Sequence, residues 1–280
     1  MNHEAMVAEF DEQVRRNARP DGPGAHVERV GDVVRQTGPD PVWNGVLWSG
    51  FDGTDGEATD AAIAEQVRYF TALGREFEWK LYAYDRPGDL AERLEAAGFT
   101  PEQPETLMIA RISDLSIGTG TSTDAGTGAG TGAETRPPEG ITLRQVTDAA
   151  GVDLMADVHD QAFGTDGTRI RQQLLAQLTE RPDTVVAVIA MAGDVPVSSA
   201  RMELLPGSDF AGLWGGGTVS EWRGRGIYRA LIDYRARIAA ERGYRYLQVD
   251  ASSQSRPILE RLGFAPLTTT TPYLYRPRLS

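Results

Sequence analysis

Between Ser116 and Glu139 the chain reads SIGTGTSTDAGTGAGTGAETRPPE, with six Gly and six Thr in 24 residues and no apolar periodicity. A stretch of that composition offers too little apolar surface to offset the entropy of ordering it, so it reads as a flexible linker. A single core running through the whole chain is thereby excluded. The 280 residues divide into two bodies, 1–115 and 140–280. Hydrophobic residues at 40% and aromatic residues at 8% are enough to give each a core.

The two bodies differ in charge. Residues 1–115 carry 22 acids against 11 bases, the linker 3 against 1, and residues 140–280 carry 15 against 16, which together make the net −12. An acidic first body argues against a general nucleic-acid surface. The second body concentrates seven arginines between Arg223 and Arg245, while Lys80 is the one lysine of the chain. Cysteine is absent, which removes thiolate metal sites, disulfides and a cysteine nucleophile. The longest apolar run, Val185 to Ala192, is far shorter than a membrane span. The expectation is a soluble, cytoplasmic protein with no membrane partner.

Residues 141–146 alternate as a half-buried strand, and 154–163 and 170–178 have helical apolar spacing. A continuous apolar strand at 184–191 turns at Gly193-Asp194 into a partner at 195–205, and 213–219 is a fourth strand containing Gly215-Gly216-Gly217. A helix follows whose Ile227, Leu231, Tyr234 and Ile238 form one stripe, ended by Gly243. A strand at 244–251, a short helix at 257–262 stopped by Gly263, and strand material at 264–275 complete the body. The order β-α-α-β-β-β-α-β-α-β predicts an α/β (α+β) fold, a mixed sheet with helices on its faces.

The first body reads as a reduced copy of the back half of that pattern: strand 43–48, a helix through Ile63, Val67 and Phe70 ended by Gly74, strand 77–85, helix 89–97, and a closing strand at 106–112. At an offset of 165 residues, Asp85 lies over Asp250 and Leu94-Glu-Ala-Ala-Gly-Phe99 over Leu259-Glu-Arg-Leu-Gly-Phe264. This is the mark of an internal duplication.

The segment richest in chemistry is Thr218-Val-Ser-Glu-Trp-Arg-Gly-Arg-Gly-Ile-Tyr-Arg-Ala-Leu231, a strand entering a short basic loop and then an amphipathic helix. A helix start has unpaired N–H groups and the positive end of the dipole, which together favour phosphate oxygens by about 0.3–2 kcal/mol. Gly224 and Gly226 let an anion approach the backbone, and Arg223, Arg225 and Arg229 add charged donors. Physics alone leaves open an anion site or an exposed basic helix whose Arg235, Arg237 and Arg242 solvate its outer face. A Walker loop is excluded because no lysine precedes Ser or Thr, and a dinucleotide fingerprint because the loop follows the fourth strand.

These residues resemble the Gcn5-related N-acetyltransferases, whose Gln/Arg-x-x-Gly-x-Gly/Ala motif matches Arg223 to Tyr228 in all but the last position. The segment 255–264, ending in Leu-Gly-Phe, resembles that family's short fourth helix. The resemblance covers about 140–275 and extends to the first body as a degenerate copy, a tandem layout similar to that of the mycothiol synthases. It implies two domains, each a mixed, mostly antiparallel sheet flanked by helices. It also implies acetyl-coenzyme A as acyl donor, with Gly217, Thr218 and Val219 beside the pantetheine arm and Arg223, Gly224, Arg225, Gly226, Ile227, Tyr228 and Arg229 around the pyrophosphate. The implied reaction is direct attack of a primary amine, on a small molecule or a peptide, upon the thioester.

Two positions depart from the family pattern. Tyr228 stands where the family has Gly or Ala, so its side chain must turn away from the phosphate or cover it. Leu259 stands where the family has a tyrosine that protonates the departing thiolate, which leaves Ser252, Ser253, Tyr273, Tyr275 or water as alternatives. An amine protonated at neutral pH needs a base, for which Glu203 and Glu221 are candidates, Glu221 being also a cap or an arginine partner. Asp250 reads as a helix cap. His159, beside Asp157 and Asp160, lacks the ligand set of a metal site, and no metal is expected. Trp43, Trp48, Trp79 and Trp214 read as packing, with Trp222 as a candidate ligand contact. In the first body the corresponding loop, Ser49 to Glu57, is acidic and without arginine, so this half is expected to bind no coenzyme A. The other reading is a non-catalytic acyl-coenzyme A-binding or interaction module on the same fold.

Overall fold

The computed structural model describes residues 2–53, 55–115 and 137–277. The linker expected at 116–139 therefore lies outside the described residues except for its last three. The chain forms two compact units: residues 1–109, 249–259 and 265–280, and residues 110–248 and 260–264. The fold is mixed α/β with mostly antiparallel strand pairing and helices beside the sheets.

With strands and helices numbered in chain order, the second unit holds β7 (Ile141–Val146), α4 (Ala149–Phe163), α5 (Thr168–Glu180), β8 (Val185–Ala192), β9 (Val195–Leu204), β10 (Phe210–Thr218), α6 (Ile227–Glu241) and the start of β11 (Tyr246–Ala251). The expected order of strands and helices is present, in the sheet order β11-β10-β9-β8-β7. Alternate residues of β8 face opposite sides. Val185, Ala187, Ile189 and Met191 pack with Val152, Met155 and Val158 of α4. Val188 and Ala190 pack with Ile227 and Leu231 of α6. A strand buried on both faces reads as a continuous apolar run, which is why 185–192 is apolar throughout.

The stripe on α6 is wider than its period suggests. Ile232, Asp233, Arg235, Ala236 and Ala239 are buried as well, and Tyr234 and Ile238 are only half-buried. Arg235 does not solvate the outer face of this helix. It is 1% exposed, and its Nε and Nη1 donate to the carbonyls of Leu231 and Arg201 at 3.0 and 2.8 Å.

The first unit holds α1 (His3–Phe10), β1 (His26–Val30), β2 (Val33–Thr37), β3 (Gly45–Ser49), α2 (Gly56–Ala72), β4 (Phe77–Tyr82), α3 (Leu90–Ala96), β5 (Thr100–Pro101), β6 (Glu105–Arg111, through Ile109) and β12 (Ala265–Tyr275). Its sheet order is β1-β2-β3-β4-β12-β6. The parallel pair is β3 with β4, as β10 with β11 is the parallel pair of the second unit. The aromatic core stacks Phe70 on Phe77 at 4.1 Å and sets Phe99 edge-on to Phe77 and Trp79.

The division at 140–280 differs from these units. The last strand, β12, groups with the first unit because it pairs with β4 from Thr270–Tyr82 to Tyr275–Phe77 and with β6 from Ala265–Ile109 to Thr270–Glu105. Tyr273, expected as a possible acid, is consequently 6% exposed within the aromatic core beside Phe77, Trp79 and Phe99. Burial together with the nearby charges of Glu95 and Glu92 raises the pKa of its hydroxyl, so the phenol stays neutral. The duplicated segment holds locally. Leu94 and Leu259 are fully buried, Phe99 and Phe264 are buried, and Gly98 and Gly263 end their helices at φ +96° and +102°. Asp85, however, lies three residues beyond the end of β4, paired with Arg15 of the N-terminal helical segment.

Candidate active site

The site is built where β10 leaves the sheet of the second unit. Its ladder with β11 covers Phe210–Tyr246, Ala211–Leu247 and Gly212–Gln248, while its ladder with β9 continues to Thr218–Ser198. The edge of β10 from Leu213 onward is thus outside the β10–β11 ladder and offers backbone donors and acceptors to an extended ligand.

In the β9 ladder the register shifts between Trp214 and Gly217, so that Gly215 and Gly216 together stand against Ala200. Gly215 takes φ +59°, the left-handed conformation a bulge of this kind requires. The other two glycines are needed for close approach. A Cβ on Gly216 would lie 2.8 Å from Cε2 of Tyr228, and one on Gly217 would lie 2.7 Å from Cε2 of Phe163. The glycine run is therefore a bulge with an aromatic ring against each of two successive residues, on opposite faces of the strand.

The strand end is fixed by a short network. Ser198 Oγ donates to the Gly217 carbonyl at 2.7 Å and lies 2.8 Å from Thr218 Oγ1, and Val219 N–H donates to Val197 at 3.0 Å. A 3-10 turn at Ser220–Trp222 then lifts the chain out of the sheet. Arg223 donates through Nε to the Thr218 carbonyl at 3.0 Å and through Nη2 to the Ala162 carbonyl at the end of α4 at 2.9 Å. It braces the loop, and its guanidinium is committed there. Arg225 stacks over Trp222 at 4.6 Å, and Trp222 is half-buried against the cores on both faces of the sheet.

Gly224 and Gly226 have φ +74° and +81°, and Gly226 is the N-cap of α6 with no side-chain cap. The first-turn N–H groups of α6, at Ile227, Tyr228 and Arg229, have no intrahelical acceptors by construction. Ile227 is buried and anchors the turn. Arg229 is exposed and leans toward Asp233 at 3.9 Å. Tyr228 turns away from the helix start onto Gly216. Burial raises its pKa, opposed by the positive charge of Arg235, so the phenol stays neutral. Arg235 is in turn lowered to about 10 by burial.

These features suit an anion in contact with backbone. They bring together Gly217, Thr218, Val219, Arg223, Gly224, Arg225, Gly226, Ile227, Tyr228 and Arg229, all of the residues expected around a coenzyme.

Glu203 is not brought to this loop. It pairs in register with Gly212, six strand positions before Thr218, and its Oε1 lies 3.5 Å from Nε of Arg201, both side chains being 12% exposed. Glu221 is exposed, and its carboxyl is held low by its own backbone N–H and the Ser220 hydroxyl. His159 shares a hydrogen bond with Thr165 Oγ1 at 3.0 Å, and burial lowers its pKa. Among the described residues no group of three or more His, Asp or Glu side chains is placed to hold a metal, and no helix is long and apolar enough to cross a membrane.

Leu259 is fully buried, so the position of the family tyrosine carries no proton donor. Asp250 is no helix cap: in the first unit its Oδ2 is ion-paired with Nζ of Lys80, both side chains being largely buried. Sequence reasoning missed Lys80. The available signal was its singularity, one lysine placed inside a strand of a chain otherwise supplied with arginine.

The site is thus a parallel pair that parts beside a bulged strand, followed by a glycine-opened helix. Residues 152–264 match the family model described as "Acetyltransferase (GNAT) family". Solved structures agree on the fold. A GCN5-related N-acetyltransferase from Kribbella flavida superposes with a TM-score of 0.64 at 18% identity, over 97% of this chain and 93% of its own. A tandem GNAT protein from the clavulanic acid biosynthesis pathway gives 0.58 at 13% identity, over 100% and 97%. A GCN5-related N-acetyltransferase from Sphaerobacter thermophilus gives 0.57 at 16%, over 89% and 82%. Among curated protein sequences, none matches this chain.

Proposed function

We propose that the protein is a tandem acetyltransferase whose β10–α6 segment binds acetyl-coenzyme A and transfers the acetyl group to a primary amine of a small molecule or peptide. The observation that carries this reading is the uncapped start of α6 at Gly226, next to a strand edge outside the β10–β11 ladder. The pyrophosphate fits the first-turn N–H groups and Arg225, and the two amides of the pantetheine arm fit the edge of Leu213–Val219. In the transfer the amine nitrogen forms the new C–N bond, the C–S bond breaks, the amine proton passes to a base or water, and the thiolate takes a proton to leave as free thiol. A backbone N–H at the bulge would stabilise the oxyanion of the tetrahedral intermediate.

The first unit is proposed to bind no coenzyme A. Its corresponding helix, α2, is capped by Asp55, whose carboxylate accepts from Ala58 N–H at 2.7 Å. A carboxylate already occupies the place an anion would take.

Thermal unfolding with and without acetyl-coenzyme A tests the reading. Ligand at 100 times its Kd contributes about 2.7 kcal/mol, a rise on the order of 5 °C. The rise should vanish in Gly226→Asp, where a carboxylate faces the phosphates. No rise in the wild type at millimolar ligand would sink the proposal. One finding favours a second reading, a binding module without turnover: the residue at the family's acid position is the buried Leu259, which has no proton to give. Release of free thiol from acetyl-coenzyme A over an amine panel separates the two, because the module binds and releases none.

A further inference from the structure

We propose that Tyr228 fixes the acyl group at two carbons by filling the space beside Gly216 into which a longer chain would extend. This inference rests on the donor site proposed above and goes beyond it by assigning the specificity to one side chain. With the diphosphate at the start of α6, an extended arm containing two amides runs back along β10 for about four residues at about 3.3 Å each. From Thr218 that distance reaches Trp214 and Gly215, so the thioester arrives at the bulge.

The bulge is enclosed differently on its two faces. On the α4 side the ring against Gly217 is that of Phe163, which is exposed at 51% and stands beside His159 at 4.8 Å. Ala162 Cβ also lies 3.1 Å from where a Gly217 Cβ would stand, but the exposed Phe163 ring at the end of the helix can move aside, and this face is the one taken for an incoming acceptor. On the α6 side the ring against Gly216 is that of Tyr228, with Cε2 2.8 Å and Cδ2 and Cζ 3.7 Å from where a Cβ would lie.

Tyr228 is far less free to move than Phe163. It springs from the first turn of α6 between buried Ile227 and the buried Ala230, and it feels the charge of Arg235, which is itself tied to two carbonyls. With the acceptor entering over Phe163, the acyl tail is left the side that Tyr228 occupies. An acetyl group ends before the ring, and each further methylene has to displace it. A Gly or Ala at this position would leave the space open. The missing Cβ of Gly216 is what admits the ring, so the two residues act as a pair.

The experiment is calorimetric titration of the full chain with coenzyme A, acetyl-, propionyl- and butyryl-coenzyme A. In the wild type butyryl-coenzyme A is expected to bind at least tenfold more weakly than acetyl-coenzyme A. In Tyr228→Ala that ratio should fall to threefold or less, whereas Tyr228→Phe should keep it, because the ring and not the hydroxyl fills the space. Should Tyr228→Ala fail to fold, Tyr228→Val carries the same expectation, and the wild-type ratio needs no variant at all. A wild type that binds both chains alike, or a ratio unmoved in the Ala or Val variant, overturns this inference alone. A wild type that binds none of the four overturns the donor site and this inference with it.

Discussion

Glu105, the first residue of β6, makes a strong test of the electrostatics of the first unit. The ladders set it opposite Thr270 of β12, and Thr270 opposite Tyr82 of β4, so the three share one face. Lys80 lies two residues before Tyr82 on that face, with Glu78 two further back, and Lys80 is paired with Asp250. Burial is the main cause that pushes the Glu105 carboxyl from 4.5 up to about 7; Asp250 and Glu78 push the same way and Lys80 opposes them. The folded chain therefore holds a proton that the unfolded chain gives up at lower pH. The associated stability is fully present below about pH 4.5 and is lost as pH rises through about 7. A shift of about 2.5 units corresponds to about 3.4 kcal/mol, and because Glu105 is only half-buried, solvent screening reduces this to about 2 kcal/mol. Glu105→Gln keeps the shape and removes the titration. Urea unfolding of both proteins from pH 4.5 to 8 should show the wild type losing about 2 kcal/mol more than the variant, most of it between pH 5 and 7.5. Parallel pH profiles, or a variant that loses more than the wild type, would refute the reasoning.

Asp250→Ala strips the buried Lys80 of its carboxylate and is expected to cost about 3–5 kcal/mol in urea unfolding, while Lys80→Met with Asp250→Leu restores most of it. Gly45→Ala would place a Cβ 2.4 Å from the Glu78 carbonyl and from the ring of Trp43; a backbone atom cannot yield as a side chain does, and a loss of about 1–3 kcal/mol is expected in thermal unfolding. Asp55→Ala removes the cap of α2 and should cost about 1 kcal/mol, with no change in acetyl-coenzyme A affinity by calorimetry. Arg223→Ala frees the loop from Thr218 and Ala162; the expected result is weaker binding of acetyl-coenzyme A with little change in melting temperature, since the side chain is exposed.

The second half was legible because its core is made locally. The apolar run of β8, the Gly193-Asp194 turn and the helix-ending Gly243 each act within a few residues of themselves. The hairpin of β1 and β2 was not read. Its two-residue turn at Gly31-Asp32 is a fair signal, with Gly31 at φ +57°, but β1 is exposed or half-buried throughout and carries no apolar alternation. The helix at His3–Phe10 buries only Met6 and Phe10, too few to set a period. Pairings over long separations were beyond local reading for a different reason. The Lys80–Asp250 ion pair spans 170 residues, and β12 meets β4 across nearly 190; nothing in either segment names its partner. Tyr273 followed from that, since its burial is decided by which strands flank β12. At the loop the spacing of Gly224 and Gly226 carried the backbone conformation, but the roles of the arginines were hidden. Arg223 braces, Arg225 stacks on Trp222 and Arg235 is buried, three outcomes for one residue type.

Both units contain a strand, a loop, a helix and then a strand parallel to the first, as β3-α2-β4 and β10-α6-β11. A fold match over 97% of the chain embraces both and cannot tell them apart. What separates them is chemistry at one turn. Asp55 spends a carboxylate on the N–H groups of α2, whereas Gly226 offers α6 no side-chain cap and bends the chain at a φ only glycine holds without strain. Against a glycine N-cap, the Asp55 cap stabilises its helix by only about a few tenths of a kcal/mol, so the larger difference between the two turns is the carboxylate's charge. An exposed basic helix start with no ligand would gain from an Asp, Ser or Thr at position 226. A glycine there is the expected residue where the backbone itself has to meet a phosphate, and this is why the anion site is proposed for the second unit and not for the first.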